Sequence, residues 1–229
     1  MKKLVVSLIL LSVIAAASRA GAQQTVYSNG PTNGNTDAWT INFGFIVSDT
    51  FNVPYGDIGI TGAEFAMWLL PGDTAGPCAH CGANSDMTAE LSITSGENSG
   101  TSYFDQTVRF TQSDCVVNDY GYDICLETTH FNGPTLNGGT YWLNLQNASI
   151  PSGDPVYWDE NSGPSLASEN SVGSIPSESF TVLGEITCGA GSDCAPSSSS
   201  VPEPGSLTLL GSGGMTLLGL LGALRRRLF

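Results

Sequence analysis

Trp39-Thr40-Ile41-Asn42-Phe43-Gly44-Phe45-Ile46-Val47-Ser48 is the stretch that decides the fold class. Trp39, Ile41, Phe43, Phe45 and Val47 put an apolar residue at every second position, and Thr40, Asn42, Gly44 and Ser48 fill most of the alternates. Successive side chains of a strand point to opposite faces, so this period predicts one half-buried strand. Phe51 and Val53 keep the same parity up to Pro54. Outward from there, Ala63, Phe65, Met67 and Leu69 form a second apolar face, ended by the turn signal Pro71-Gly72-Asp73. Ala89, Leu91 and Ile93 alternate with Glu90, Ser92 and Thr94. Further strands are expected over 103–111, 122–128, 140–146 and 180–186, with Tyr141, Leu143 and Leu145 on one face. Residues 147–178 carry Pro151, Pro155, Pro164 and Pro176 and read as a long excursion with a short strand around Val156–Trp158. Short strands separated by Gly, Asn, Ser and Asp clusters, with no helical period between the chain ends, predict an all-β domain, a β-sandwich or jelly roll.

Both ends of the chain differ from this body. Lys2 and Lys3 precede an apolar run, Leu4–Ala17, and an A-x-A site at Ala20-Gly21-Ala22. This is the pattern of a secretory signal peptide over 1–22, which would start the mature chain at Gln23. At the other end, the Ser/Pro-rich linker 195–204 closes on Val201-Pro202-Glu203-Pro204. An apolar stretch, Leu207–Leu224, and then Arg225, Arg226 and Arg227 follow. About 18 apolar residues suffice for a helix that spans a bilayer, and a basic cluster beyond it stays on the cytoplasmic side. Pro202-Glu203-Pro204, the span and the three arginines closely resemble the PEP-CTERM sorting signal of exosortase substrates. The resemblance covers 201–229. It implies a membrane-anchored intermediate, held by the 207–224 helix, that an exosortase-type membrane protease cuts near the Pro-Glu-Pro before the protein reaches the cell surface or the extracellular space. The segments Gly139–Ala148, Pro155–Asn161 and Ser174–Ser177 also resemble a domain that recurs in exported proteins of this kind and carries no transferable function. The expected organisation is thus a leader at 1–22, an extracytoplasmic domain at 23–194, a linker at 195–204 and a sorting signal at 201–229.

The whole chain carries a net charge of −14. Of its seven basic residues only Arg109 lies between 23 and 200, and of its 21 acidic residues only Glu203 lies outside that range. A body without lysine repels nucleic acid and anionic membrane surfaces. It suits neutral sugars or divalent cations, and its charge also keeps an exported protein soluble. The six cysteines, Cys78, Cys81, Cys115, Cys125, Cys188 and Cys194, all lie in the body. An even count in an exported chain points to disulfides, and six cysteines allow 15 connectivities. The pairs Cys78–Cys81, Cys115–Cys125 and Cys188–Cys194 close the shortest loops.

No motif carries a clear chemistry. Cys78-Ala79-His80-Cys81 has redox spacing but lies in a Gly/Pro-rich loop, and only His80 and His130 could complete a zinc site. There is no Gly-x-Ser-x-Gly elbow, and no pair of carboxylates stands out for glycoside hydrolysis. The expected catalytic set is therefore empty and no cofactor is implied, with calcium at the Asp159-Glu160-Asn161 oxygens as the one candidate metal. Tyr141-Trp142 and Tyr157-Trp158 are aromatic doublets, each with one ring expected inward and one outward, so Trp142 and Trp158 are candidates for stacking on sugars. The plainer reading packs Trp142 beneath the 147–178 excursion. Arg109 is expected to pair with an acid across a strand. These readings converge on an exported, non-enzymatic protein, structural or adhesive in the extracellular matrix. The alternatives are a carbohydrate-binding module for polysaccharide and, more weakly, a two-carboxylate glycoside hydrolase.

Overall fold

The alternation around Trp39 is cut by a turn. In the computed structural model, which describes residues 23–54, 56–73 and 83–186, β1 (Gln24–Ser28) is followed by β2 (Ala38–Thr40), which ends just after Trp39, and β3 (Ile46–Val53) begins beyond the turn. Between them Phe43 (φ 58°) and Gly44 (φ 93°) are both left-handed, and Phe45 N donates to the Asn42 carbonyl at 3.1 Å. Two consecutive positive φ values closed by such a bond make a type I′ turn, a conformation that glycine adopts without steric cost. Ile41 N donates to the Val156 carbonyl, which carries the pairing of β2 with residues 157–159 one residue further, and Ala148 N donates to the Ile41 carbonyl, both at 3.0 Å. The single strand expected from the sequence is therefore two. Ile41 and Val47 are fully buried, whereas Phe43 is 65% exposed and Phe45 also reaches solvent.

The other strands follow the apolar pattern more closely. They are β4 (Ile58–Leu69), β5 (Ala83–Gly96), β6 (Ser99–Val117), β7 (Asp123–His130), β8 (Thr135–Leu136) and β9 (Gly139–Ser149). β10 (Tyr157–Asp159), β11 (Ala167–Glu169), β12 (Gly173–Ile175) and β13 (Phe180–Ile186) complete the set, and there is no helix among the described residues. Ala63, Phe65, Met67 and Leu69 point inward, as do Ala89, Leu91 and Ile93. In β4 the inward parity changes once. Ile58 and Ile60 are buried ahead of the odd-numbered set, and the ladder to β13 slips between Leu183 and Gly184. A bulge of this kind inserts an extra residue and moves the following side chains to the other face. The expected strand near Val156–Trp158 is β10, whereas β1, β8, β11 and β12 are too short or too polar to show a period.

All pairings are antiparallel. The hydrogen-bonded order is β1-β13-β4-β7-β6-β5-β9-β3-β11-β12, with β8 and β10 joining β4 and β2 joining β10. Although β1 and β3 lie far apart in that order, they meet in space: the rings of Tyr27 and Phe51 are 6.5 Å apart. The sheet is thus curled on itself around one apolar core. At its centre Trp158 lies edge-on to Phe65 (5.3 Å) and to Phe180 (5.6 Å), and Phe65 also meets Phe110 edge-on at 5.9 Å. Such tilted pairs match the ring quadrupoles and add to the gain from area burial.

Cys115 of β6 and Cys125 of β7 form the expected disulfide, at a sequence separation of 10. Cys78, Cys81, Cys188 and Cys194 lie outside the described residues, as do the leader 1–22, the linker and the sorting signal. Arg109 Nη1 stands 4.0 Å from Asp86 Oδ1, a cross-strand pair between β6 and β5 in which both side chains are largely exposed. Such a pair contributes little to stability.

Trp158 has no exposed surface, and its indole N–H donates to the Ser179 carbonyl at 2.9 Å. Trp158→Ala should therefore destabilise the fold by about 3–5 kcal/mol, from lost transfer free energy and the cavity left behind. Equilibrium urea unfolding followed by tyrosine and tryptophan fluorescence measures this. A loss below about 1 kcal/mol would show that Trp158 is not the centre of the core.

Candidate functional site

The most polar part of the interior lies where residues 159–161, just after β10, run beside 177–179, just before β13. Asn161 N donates to the Ser177 carbonyl (2.7 Å) and Ser179 N to the Asp159 carbonyl (2.8 Å), with Glu160 bridged to Glu178 between them. The Asn161 side chain fixes the turn that follows. Its Oδ1 accepts from Gly163 N and from Ser177 Oγ, each at 2.9 Å, and its Nδ2 donates to the Asn29 carbonyl at 2.8 Å. Position 163 must be glycine, because a Cβ there would collide with the Asn29 carbonyl.

Three of the four tryptophans direct their indole N–H groups at this strip. Trp68 donates to Asp159 Oδ1 (2.6 Å), Trp39 to Glu160 Oε2 (3.3 Å) and Trp158 to the Ser179 carbonyl. Asp159 also accepts from Asn33 N and Gly34 N, both at 2.8 Å. These contacts correct two expectations. Asp159, Glu160 and Asn161 do not form a shared oxygen cage for calcium, because protein donors already engage each side chain. Among the described residues no group of three or more His, Cys, Asp or Glu side chains is placed to hold a metal. Trp158 is not a sugar platform, because strand alternation turned it into the core, where no face is free.

Trp142 is placed differently. It sits half-buried on β9, opposite Thr50 of β3 and Thr94 of β5, on the face away from Leu143 and Leu145. There it lines a cleft of about 570 Å³ whose other walls come from the 147–178 excursion: Glu160, Asn161, Ser165, Ser168 and Ser177. Glu97, in the β5–β6 turn, completes one side and accepts a hydrogen bond from Ser168 Oγ. A second groove of about 670 Å³ adjoins it and shares Asn33, Asn161, Ser162 and Gly163. The excursion thus flanks the Trp142 ring and leaves an open cleft beside it. His130, expected at a surface strand end, closes β7 and is exposed.

Behind the cleft lies a feature that the sequence reading missed. Asp49 on β3 and Glu178 are both fully buried. Asp49 Oδ2 accepts from Glu178 N (2.7 Å) and from Asn29 Nδ2 (3.4 Å), and Asn29 Nδ2 also reaches the Glu178 carbonyl (2.6 Å). Asn29 Oδ1 in turn accepts from the Tyr27 hydroxyl at 2.9 Å. Burial pushes the Asp49 carboxyl from its ordinary 3.8 up to about 6, against the lowering effects of Ser165 and the backbone N–H groups around it. Glu178 is raised well above the usual carboxylate range, first by burial and then by the charge of Asp49, with smaller contributions from Glu160, Asp159 and Asp37. Burial also raises Asp159 and Glu160, with their indole donors opposing it. Asp49 had a legible signal, because it occupies an inward position between Val47 and Phe51. Glu178 had none, since its segment shows no period.

A comparison with protein-family models finds no match, and neither does one with curated proteins.

A carboxyl that is a weaker acid in the folded chain than in the unfolded one binds its proton more tightly when folded. Its stabilising effect is complete below the unfolded value and is lost as pH rises through the folded value. In chelator-containing buffer, stability should therefore fall as pH rises from about 4 to about 6, with Asp49 supplying on the order of 3 kcal/mol of the change. Asp49→Asn, which keeps an oxygen for Glu178 N, should flatten the profile across that window. Urea midpoints measured from pH 4 to pH 7.5 test this, and equal slopes in both proteins would remove Asp49 as the source.

Proposed function

We propose that the protein is an exported, non-enzymatic adhesive or structural component of the cell surface or extracellular matrix, and that it holds polysaccharide in the Trp142 cleft. The observation that carries this reading is the cleft itself: one partly open aromatic face among serine hydroxyls, the Asn161 amide and two carboxylates, with no basic side chain on its walls. Flat apolar ring faces of sugars stack on such a surface while their hydroxyls exchange hydrogen bonds with the rim. A body with Arg109 as its one basic residue favours neutral or amine-bearing glycans over uronate-rich ones and gives no support to nucleic-acid binding.

Within the curled sheet we read a β-sandwich or jelly roll. The approach of β1 to β3 supports this, since one end of the sheet then lies over the other with the apolar core between them. The delivery route rests on the chain ends. The leader 1–22 would export the chain, the 207–224 helix would hold it in the membrane, and an exosortase-type protease would cut near Pro202-Glu203-Pro204. Hydrolysis by two carboxylates is the second reading, since Glu97 and Glu160 line one cleft. Against it, each is tied to a neighbour, Glu97 to Ser168 and Glu160 to Trp39.

A glycan array followed by calorimetry tests the cleft. Specific binding is expected, and Trp142→Ala should weaken it about tenfold or more without unfolding the protein. Binding that survives Trp142→Ala would move the ligand elsewhere. Turnover of the bound glycan, lost in Glu97→Gln and Glu160→Gln, would replace the binding module by the hydrolase. Mass spectrometry of the surface-exposed protein tests delivery: a new C-terminus near Pro202–Pro204 is expected, and an intact Phe229 would rule out sorting by cleavage.

A further inference from the structure

Asp49 and Glu178 leave side-chain oxygens without a partner of good hydrogen-bond geometry among the described residues. Asp49 Oδ1, both Glu178 side-chain oxygens and Ser165 Oγ are buried without a hydrogen-bond partner. They belong to one locale. Glu178 N lies 2.7 Å from Asp49 Oδ2, Asp49 is the charge that acts most strongly on Glu178, and the Ser165 hydroxyl stands beside both Asp49 and the Tyr27 hydroxyl, near enough to favour the charged form of each. Buried lone pairs without donors are costly, and two adjacent buried carboxylates cannot both remain ionised unless something positive joins them.

The surrounding elements supply no such charge. The titratable groups facing the pair are Tyr27 of β1, whose hydroxyl is committed to Asn29, together with Asp37, Asp159 and Glu160, which are all acidic. Arg109, the one basic residue of the body, lies exposed beside Asp86. Two carboxylates and a hydroxyl with free lone pairs are the donor set of a hard, oxygen-seeking cation. There is also a way in, because Ser165 lines the cleft as well as flanking Asp49.

We propose that Asp49, Glu178 and Ser165 bind one divalent cation of the calcium class at the seam where β1 meets β3, with backbone carbonyls or water completing its shell. Calcium accepts six to eight oxygen ligands in irregular geometry, which suits two carboxylates from separate segments better than the strict octahedron of magnesium does. The site differs from the Asp159-Glu160-Asn161 triplet and does not rest on the glycan reading. The cation would join the segments bearing Asp49 and Glu178, so its binding energy would appear as folding stability.

The full chain, purified in detergent and stripped with chelator, is titrated with calcium chloride at pH 7.5, with magnesium and sodium chloride as controls. Calorimetry should show one saturable calcium per chain, the melting temperature should rise with the logarithm of calcium concentration, and both responses should fade near pH 5 as protons compete. Glu178→Gln and Asp49→Asn should each weaken calcium binding by at least about tenfold while melting higher than the wild type in chelator. Displacement of bound terbium by calcium, read through tyrosine-sensitised emission, needs no variant and should titrate over the same calcium range. Absence of saturable calcium binding at pH 7.5, terbium that calcium does not displace, or binding unchanged in both variants would each overturn the proposal. So would a melting temperature that ignores calcium and rises only as pH falls, which is the behaviour of a proton shared by the two carboxyls.

Discussion

The hydrogen bond from Glu178 N to Asp49 Oδ2, at 2.7 Å, closes the curl of the sheet. Its two residues lie 129 positions apart in the chain. One is on β3 and the other in the segment that leads into β13, and β13 carries β1 along its edge. Asn29, just past β1, reaches the same two partners. A curled antiparallel sheet can bury its concave face only if one end is held over the other, and here the hold is polar. The apolar contacts between Tyr27, Phe51 and Phe180 lie next to it and depend on the same closure.

A polar seam in a small domain costs desolvation, and buried charge pays back only when it is paired or fully hydrogen-bonded. Part of this seam meets that condition: Asp159 accepts from one indole and two backbone amides, and Asn161 is bonded on both ends of its amide. The Asp49–Glu178 pair does not, and its carboxyls are correspondingly weak acids. The same strip forms a wall of the Trp142 cleft through Glu160, Asn161 and Ser177. Core, seam and cleft are three layers of one arrangement, running from Trp158 through Glu178 to Trp142.

Much of the strand pattern was legible because it is local. Phe180–Ile186 has the bounds read from the sequence, and the inward faces of Ala89–Ile93 and Ala63–Leu69 follow their alternation. The misreading around Phe43 has a specific cause. Period-2 alternation records only side-chain character, whereas the Phe43-Gly44 turn is a backbone event that keeps the alternation intact across a break. Asp49 was visible as an acid at an inward position, yet an acid in such a place reads as an exception until its partner is known. Glu178 could not be found, because its burial is made by segments distant in the chain. Trp142 and Trp158 each follow a tyrosine in the sequence, and nothing local says which of the two would be covered.

The sequence by itself determined the all-β class, the position of most strands and the acidity of the body, and it favoured the Cys115–Cys125 pairing. Side-chain period, short loop closure and composition are properties of neighbouring residues and need no knowledge of the fold. Only the tertiary structure decided which aromatic became core and which was left facing a cleft, and that two carboxylates would be buried side by side. Burial at those positions depends on how far the sheet curls, and the curl is closed by contacts such as that of Glu178 with Asp49, 129 positions apart in the chain.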